Sequence, residues 1–459
     1  MQPLFSEFSP TSVNQWKEKL AKDLKGIDFN QLTWQADTGI SIQPFYTKED
    51  LPAQAQPVFY HNDWNIGVKI QVENELQANK QALEALNGGA SALCFYLNKT
   101  TNLAQLLKDI QIEFIATQFY VTQPVQEFIA QLNQFITEQQ LDTKQLNLSI
   151  NYDVLARFVK TGNWIQNQST DFDAIKQVSQ VPFNRYQLLI DASLYQNTGA
   201  HQVTELALIL SHYNEYLQYF NEQGGNFSFL EKGVQIHVAI GTDFFAEIAK
   251  LRALRKLITF LHTTYNIQAP ISIACTTSHL TLAPKDEHTN LLRSTTQAMS
   301  SVIGGCDYLY VEPFNATSKS EETSLATRMA RNQQIILKEE SYLNKTTDIG
   351  AGSYYIETLT EQLATKAFEQ FKTYEAKGGF IAALEQNIIQ HEVEQQQEKL
   401  VEKAQKGELV IIGVNKYLNP NSKTTVHVNT TQNTEKSLIK PLSALSLAAH
   451  IETVQPVTK

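Results

Sequence analysis

Short runs rich in β-branched and aromatic residues alternate with longer helical patterns, and this alternation limits the fold more than any other feature. We predict eight strands, at Trp64–Val72, Ala92–Asn98, Glu113–Phe119, Asn147–Tyr152, Tyr186–Ser193, Val234–Gly241, Ile271–Ser278 and Tyr308–Pro313. The predicted helices between them include Glu73–Asn87, Pro124–Gln139, Gln202–Asn221, Phe244–Tyr265 and Thr289–Val302. Eight strands with intervening helices predict an α/β fold, a (β/α)₈ TIM barrel. A doubly wound open sheet is the alternative, but no G-x-G-x-x-G follows any strand.

The chain on either side of the predicted barrel has a different character. Residues 1–60 are predicted to form an N-terminal arm, 61–385 the barrel, and 386–459 a C-terminal extension of helix and linker with a short helix near Ser443–Ile451. In the arm, Thr11 or Ser12 is placed to cap a helix that carries Trp16, Leu20 and Leu24 on one stripe and ends at Gly26. That stripe must be covered by the barrel or by a partner.

One face of several predicted strands is small and polar, whereas barrel interiors usually hold branched apolar residues. The apolar faces must meet the helices, so the polar faces are predicted to line the lumen. The predicted lumen residues are Asn65, Lys69, Asn147, Ser149, Asn151, Gln187, Asp191, Gln235, His237, Ser272, Thr276 and Ser278. Buried polar groups need partners. The lumen is therefore either plugged by a network of its own side chains or built to hold an elongated polar ligand.

Composition excludes several classes of function. The chain carries 37 Lys and Arg against 47 Asp and Glu, a net charge of −10, and has no basic block, which argues against nucleic-acid binding. No apolar run reaches membrane-spanning length. The N-terminus lacks a signal or transit pattern, and the three cysteines are far apart, so a cytoplasmic protein without disulfides is expected.

No residue pattern points to a metal site. We expect His201, His212, His279 and His288 in loops or on helix surfaces, without the spacing that metal ligands show, and His237 as a core histidine. No G-x-S-x-G motif or P-loop occurs.

The stretch Arg328–Glu357 is the most specific part of the sequence. Local rules predict a helix from Arg328 to Leu343, a glycine turn at Gly350 and Gly352, and a second helix that starts at a capping box of Thr358 and Glu361. As a string, the stretch resembles the R-x-A-R-N-x-Q … E-E-S … G-S-Y-Y-x-E signature of methylmalonyl-CoA mutases. The arm and the later G-V-N-K-Y segment resemble the same family.

The resemblance also implies what this chain lacks. Catalytic members carry a cobalamin-binding domain with a D-x-H-x-x-G loop, and Asp286-Glu287-His288 is only a partial match, so no cobalamin-binding domain is expected. The family's catalytic positions are occupied by other residues, which are Lys69, Thr161, Ser193, Leu194 and Ala274. In the first strand, Gly67 replaces a family arginine. No catalytic residue is therefore expected in this chain.

By this resemblance we expect the small, non-catalytic subunit of a heterodimeric, adenosylcobalamin-dependent mutase that interconverts methylmalonyl-CoA and succinyl-CoA. The large subunit would bind the cofactor, and the barrel lumen, which in the family holds the pantetheine arm, is a candidate site for a CoA-like ligand. The candidate interface residues are Trp16, Leu20, Leu24, Trp34 and Tyr46. The alternatives are a stand-alone barrel enzyme or binding protein acting on a CoA ester through Lys69, Asp191, Asp243 and Glu312, and an accessory protein for the mutase.

Overall fold

The computed structural model describes residues 7, 9, 11–51, 61, 63–318, 323–419 and 437–454. Two short antiparallel strands lie in the arm, β1 (Trp34–Gln35) and β2 (Ser41–Ile42). The eight strands of the main sheet are β3 (Asn65–Gln71), β4 (Ala92–Leu97), β5 (Ala116–Val121), β6 (Asn147–Asn151), β7 (Leu188–Asp191), β8 (Val234–Ile240), β9 (Ile271–Thr277) and β10 (Tyr308–Tyr310). The predicted boundaries at 60 and 385 stay predictions, and part of the predicted linker, residues 420–436, lies outside the described residues.

The main sheet closes into the predicted (β/α)₈ barrel. Its eight strands are all parallel and follow one another in the order β6-β5-β4-β3-β10-β9-β8-β7. The two ends of this order meet just before β7, where the Arg185 amide donates to the Leu148 carbonyl at 2.7 Å. Asn184 forms a bridge with Leu148 at the same place. A closed parallel sheet with outer helices confirms the predicted fold class.

The α-helices of the described residues are α1 (Val13–Asp23), α2 (Glu75–Asn87), α3 (Leu103–Leu106), α4 (Val125–Glu138), α5 (Val154–Thr161), α6 (Gln168–Ser179), α7 (Ser193–Asn197), α8 (Gln202–Glu222), α9 (Phe244–Thr264), α10 (Asn290–Ile303), α11 (Thr323–Ile335), α12 (Tyr354–Glu375), α13 (Gly379–Glu385), α14 (Ile388–Gln405) and α15 (Leu447–Val454). Short 3₁₀ turns occur at Phe29–Leu32, Lys48–Asp50, Ser228–Leu230 and Glu287–Thr289. A π-helical turn follows α11 at Ile336–Glu340.

Several predicted boundaries were wrong. The third barrel strand starts at Ala116, three residues later than predicted. The strand that was predicted to reach Ser193 ends at Asp191, because Ser193 begins α7. The second helix of the signature starts at Tyr354, capped by the Ser353 hydroxyl, and not at a box of Thr358 and Glu361. The last helix begins at Leu447, later than the predicted Ser443.

A buried arginine explains why the signature has acidic residues on both sides of its glycine turn. Arg252 on α9 is fully buried and forms ion pairs with Asp348 before the turn and Glu357 after it. The Glu357 carboxylate also accepts from the Gly352 amide at 3.1 Å. Gly352 has a φ of +80°, a conformation that residues with a Cβ rarely adopt. The turn is thereby fixed onto the helical layer of the barrel.

The arm covers part of the helical layer and leaves its own apolar stripe largely uncovered. As predicted, Ser12 caps α1, and no residue of α1 is buried. Leu20 and Leu24 are half-buried. Trp16 packs edge-on against Phe45 at 3.8 Å between ring centroids but remains 40% exposed.

Two other arm residues contact the rest of the chain. Ile40 is buried, and Tyr46 stacks on Tyr355 of α12 at 5.3 Å between centroids. Trp34, in contrast, is 57% exposed. The arm is therefore anchored at a few points and presents tryptophan rings to solvent.

Residues 437–454, which we call the C-terminal strap, cross the end of the barrel where the strands terminate. Amides of the strap donate to carbonyls of three segments that follow β6, β7 and β9, namely at Gly162 (2.9 Å), Asn197 (2.7 Å) and Leu280 (2.9 Å). Leu447 and Ile451 of α15 are fully buried in a satellite apolar cluster. The strap thus lies over the segments that follow β6, β7 and β9.

Candidate functional site in the barrel

Strand alternation puts the predicted polar faces toward the barrel axis. In β8, Val234, Ile236 and Val238 belong to the main core under the helices, and Gln235 and His237 take the opposite face. The same separation holds in β9, where Ile273 and Cys275 join the main core. Among the predicted lumen residues, Ser149, Asn151, Gln235, His237, Ser272 and Thr276 are all buried.

Amide side chains from opposite strands join across the lumen. Gln118 of β5 donates to the Gln235 amide oxygen at 3.2 Å and accepts from Asn151 at 3.1 Å. Its carbonyl also accepts from the Tyr310 hydroxyl at 3.0 Å, and Gln235 donates to Ser272 at 3.4 Å. This network satisfies much of the buried polarity by internal pairing, as a folded interior requires.

His237 is held as a neutral ring between two hydroxyl groups. Burial lowers the pKa of His237 to about 4. Its Nδ1 lies 2.6 Å from the Tyr120 hydroxyl, and its Nε2 lies 2.7 Å from Thr276 Oγ1. A neutral imidazole donates from one nitrogen and accepts at the other, which suits two hydroxyl partners. His237 is therefore a satisfied core histidine, as the sequence indicated.

Five tyrosines that were not among the predicted lumen residues pack together on the inner face of the barrel. Tyr96, Tyr120, Tyr186, Tyr308 and Tyr310 form one cluster with the small residues of the inner face. Tyr96 stacks on Tyr120 with centroids 4.7 Å apart, and the Tyr186 hydroxyl donates to Tyr308 at 3.3 Å. The small side chains of β4 and β9 therefore make room for aromatic rings of the chain itself.

At Gly67, the absence of a side chain makes room for the Tyr310 ring. A Cβ at position 67 would lie 2.4 Å from Tyr310 Cε1 and 2.8 Å from the Leu309 carbonyl oxygen. The main chain of Gly67 is also held by Gln334 of α11, which accepts from its amide and donates to its carbonyl. The glycine lets the Tyr310 ring lie flat against the strand and reach Gln118.

Charged groups collect at the mouth, above the tyrosine layer. Lys69 Nζ is 2.6 Å from Glu312 Oε1, and His279 Nε2 is 3.7 Å from the same oxygen. Burial opposes ionisation of Glu312, yet the Lys69 ammonium lowers the pKa of that carboxyl below its ordinary value. Asp191 lies 3.5 Å from His237 and accepts from the Ser193 hydroxyl at 2.7 Å. Lys69 and Glu312 thus offset each other's charge, and Asp191 is held by a neutral hydroxyl group.

A cavity of about 430 Å³ opens beside this charged layer. Most of its lining residues come from α11, from β3 and from the segment that follows β10. Its lining residues are Gly67, Val68, Lys69, Gln71, Tyr96, His279, Val311, Glu312, Pro313, Ala316, Thr327, Ala330, Arg331 and Gln334.

The five residues predicted to stand at the family's catalytic positions lie in different surroundings. Lys69 lines the cavity, but Ala274 is buried in the lumen below it. The Thr161 hydroxyl donates to the Arg157 carbonyl within α5, next to the strap. The Ser193 hydroxyl donates to the Asp191 carboxylate, and the Leu194 side chain packs against the main core.

Four other predicted lumen residues lie at the ends of the barrel strands and contact neighbouring segments. Asn65 donates to the Asp307 carbonyl at 3.2 Å, and Gln187 accepts from the Lys232 amide at 3.0 Å. Ser278 donates to Asn197 at 2.7 Å. Asn147 begins β6 and pairs with Ala116 of β5. Asp243, from the alternative enzyme hypothesis, caps α9 through the Ala246 amide.

One histidine was predicted wrongly. His212 was expected in a loop or on a helix surface, but it is fully buried on α8. Its ring nitrogens contact the Tyr195 hydroxyl at 2.9 Å and the Asp153 carboxylate at 3.1 Å. Burial disfavours the charge on Asp153, but its contact with His212 brings the pKa of that carboxyl below its ordinary value. Asp153, the N-cap of α5, also accepts from the Asp191 amide at 2.7 Å, so this carboxylate links the start of α5 to β7 and, through His212, to α8.

The positions of the acidic, histidine and cysteine side chains bear on the question of a metal site. Within the described part of the chain, no group of three His, Cys, Asp or Glu side chains is placed to hold a metal ion. His288, the partial match to the family's cobalt-ligand loop, packs its ring against Phe314 at 4.9 Å between centroids. None of the described helices is both long and apolar enough to cross a lipid bilayer.

A family model and several known relatives match this chain, and all of them carry the same family name. The family model described as methylmalonyl-CoA mutase matches residues 80–455. A protein of Porphyromonas gingivalis named methylmalonyl-CoA mutase small subunit is 32% identical over 447 residues, covering 91% of this chain and 71% of that protein. The small subunit of Streptomyces virginiae is 25% identical and covers 84% and 67%. A methylmalonyl-CoA mutase of Cereibacter sphaeroides is 26% identical and covers 88% and 64%, so the chain spans about two thirds of such relatives.

Proposed function

Because this chain belongs to the methylmalonyl-CoA mutase family, we propose that it is the small, non-catalytic subunit of a heterodimeric mutase. The large subunit then binds adenosylcobalamin and interconverts methylmalonyl-CoA and succinyl-CoA. The observation that carries the proposal is the barrel axis filled by the chain's own side chains, with the Tyr310 ring packed against Gly67.

The filled lumen argues against a CoA ester in this barrel. In the family, the pantetheine arm of the substrate runs along an axis lined by small hydrophilic side chains. Here five tyrosine rings cluster on the inner face, and four of them form hydrogen bonds with one another, with Gln118 or with His237. A ligand would have to displace rings that already have hydrogen-bonding partners, at the cost of leaving buried polar groups unpaired.

The residues at the family's catalytic positions support the same proposal. Stabilising a migrating thioester requires donors near its carbonyl, and removal of one such donor typically costs about 10²–10³ in rate. Ser193 already donates to Asp191, and Ala274 and Leu194 carry no side-chain donor. Lys69 is a cation paired with Glu312 where the family has a tyrosine. The chain therefore offers no replacement set of donors at these positions.

A structural role for the chain fits the exposed aromatic residues of the arm. Trp16 and Trp34 present apolar surface to solvent, and contact with a large subunit would bury it. The relatives named small subunit support a partner of this kind. We place the complex in the cytoplasm, where the free thiols of Cys94, Cys275 and Cys306 stay reduced.

Co-expression with the large subunit and titration with a CoA ester test this function. We expect the two chains to co-purify in a fixed ratio and the isolated chain to show no saturable binding of methylmalonyl-CoA. A Tyr310→Ala variant is the matched probe, because it opens the lumen while leaving the mouth residues in place. Saturable binding of the ester by the unmodified chain would favour the stand-alone enzyme or binding protein instead.

A further inference from the structure

The G-V-N-K-Y segment lies in a well-fixed loop, residues 409–418, which we call the 409–418 loop. Asn415 holds this loop from inside, because its side-chain oxygen accepts from the Ile411 amide at 2.8 Å and its side-chain amide donates to a carbonyl of α14 at 2.8 Å. Ile411 and Val414 are buried in the satellite cluster together with α15. The inner side of the loop is therefore packed against the strap.

The outer side of the 409–418 loop is apolar and faces solvent. A bridge between Ile412 and Lys416 brings the two ends of the loop together. The large apolar side chains that the loop exposes are Val410, Ile412, Tyr417 and Leu418. Single exposed apolar residues are common, but several on one short, fixed loop are typical of a contact surface.

The backbone of Tyr417 supports this interpretation. Tyr417 has a φ of +52°, a conformation that is uncommon for a residue with a large side chain, and its side chain is 73% exposed. An exposed ring contributes little to the stability of the folded chain, so folding alone gives no reason for a tyrosine at this strained position. Backbone strain of this kind is found especially at binding sites.

Lys403 in the last turn of α14 connects the loop to the N-terminal arm. Its ammonium group forms an ion pair with Asp37, which lies between β1 and β2 of the arm. Its main-chain carbonyl accepts from the Leu409 amide at 3.1 Å. Trp34, three residues before Asp37, is one of the exposed tryptophans of the arm. The arm hairpin and the 409–418 loop therefore meet at the same end of α14.

The two arm tryptophans alone provide too little surface for a stable complex. A fully buried aromatic side chain covers about 150–250 Å², so Trp16 and Trp34, at 40% and 57% exposure, offer less than about 300 Å². A specific interface takes about 800 Å² from each partner. A stable complex therefore needs surface beyond these two rings, and the neighbouring loop offers four more large apolar side chains.

We propose that the 409–418 loop is a second docking surface for the large subunit, next to the arm, and that Tyr417 and Leu418 pack into an apolar surface of that subunit. This inference rests on the proposed subunit role. The segment of this chain that directly follows, residues 420–436, is a poor match for the patch, because its aliphatic residues are only Val426 and Val428. Tyrosine is enriched among the residues that dominate binding energy.

The affinity of the full-length chain for the purified large subunit, measured by biolayer interferometry, tests this surface. The probe is a Tyr417→Asn/Leu418→Ser double variant, since asparagine adopts positive φ readily and removes the ring. We expect it to bind about 10- to 100-fold more weakly, the range for loss of central interface residues. Phe114→Ser is the matched control and should bind normally, because Phe114 is similarly exposed but precedes β5, whereas the loop packs on residues that follow β9.

Two measurements on the isolated chain separate partner binding from other roles of the loop. The double variant should melt at the same temperature as the unmodified chain or slightly higher, because it loses only exposed side chains and a strained tyrosine. A lower melting temperature would show that this chain covers the patch itself. Self-association of the unmodified chain that the double variant abolishes, followed by sedimentation velocity, would identify a second copy as the occupant.

Either of those results, or unchanged affinity of the double variant for the large subunit, would overturn the proposed docking surface. Unchanged affinity would leave the subunit role intact, because the unmodified chain still binds. Failure of the unmodified chain to bind the large subunit would instead refute the subunit role, and the docking surface with it.

Discussion

Gly67 and Tyr310 lie side by side on neighbouring barrel strands, and the tyrosine ring occupies the space that a Cβ at position 67 would need. Tyr310 Cε1 would be 2.4 Å from such an atom. Gly67 has no side chain, and a ring from the neighbouring strand covers its backbone. Closure of the lumen at this point therefore depends on two residues from different strands.

Substitution of Gly67 by alanine should destabilise the chain. The new methyl group would meet both the Tyr310 ring and the Leu309 carbonyl, and overpacking of a dense interior typically costs about 1–3 kcal/mol. Urea denaturation measures the loss. Gly350→Ala is the control, because its Cβ would have no neighbour closer than 3.4 Å. Equal stability of the two variants would contradict the close packing of Tyr310.

Removal of the Arg252 side chain should loosen the signature turn. An Arg252→Met variant leaves the carboxylates of Asp348 and Glu357 without their cation, and a broken buried pair costs about 3–5 kcal/mol. Hydrogen exchange should show early loss of protection in residues 344–353. Lys256→Met serves as the comparison, since its partly exposed pair with Glu361 is worth less than about 1 kcal/mol. Similar losses for both variants would show that the buried arginine has no special role.

The buried cluster of Lys250, Glu205 and Glu247 should make stability depend on pH. Lys250 contacts Glu205 at 2.8 Å and Glu247 at 2.6 Å, and all three side chains are fully buried. Burial raises the pKa of Glu205 to about 7 from an ordinary value of 4.5. Between these values the folded chain binds more protons than the unfolded chain, so this group's contribution to stability falls as pH rises from 4.5 to 7.

Glu205→Gln tests that pH dependence because glutamine keeps the shape and removes the titration. The free energy of unfolding should decrease less between pH 5 and pH 7 in the variant than in the unmodified chain. A shift of one pKa unit corresponds to about 1.4 kcal/mol, so the effect is measurable by denaturation. Glu402→Gln, on the exposed surface of α14, should leave the slope unchanged. The same slope in Glu205→Gln as in the unmodified chain would refute the assignment.

The exposed tryptophans of the arm should matter for assembly and not for folding. A Trp16→Ala/Trp34→Ala double variant should keep the melting temperature of the isolated chain nearly unchanged, because both rings are largely exposed. Its co-purification with the large subunit should be strongly reduced. Ile40→Ala, at a buried position of the same arm, should instead lower the melting temperature. If the double variant still formed an intact complex, the arm tryptophans would not be part of the subunit interface.

Local patterns predicted the strands and the polar inner face, because both follow from a period of two along each strand. The tyrosine filling was missed for a specific reason. The third predicted strand ended at Phe119, so Tyr120 was not assigned to the inner face, although it falls there once the strand extends to Val121. Strand alternation places Tyr308 and Tyr310 on the inner face. The sequence alone, however, does not show that their rings fill the space left by small residues on other strands.

Contacts between residues far apart in the sequence also could not be predicted. The pairing of Arg252 with Asp348 joins positions about a hundred residues apart, and nothing local to either residue predicts it. The burial of His212 likewise depends on Asp153 and Tyr195, which come from different segments of the barrel. Family resemblance identified the important stretch, and only the structure supplied the physical reason for its acidic residues.

Turnover of methylmalonyl-CoA by the isolated chain, compared with turnover by the chain mixed with its large subunit and adenosylcobalamin, tests whether this chain is non-catalytic. We predict no turnover by the isolated chain above a control without protein, and full turnover by the mixture. The Lys69→Ala and Ser193→Ala variants should support the same turnover in the mixture, because neither residue acts in the reaction. Turnover by the isolated chain, or its loss from the mixture in either variant, would contradict the non-catalytic role.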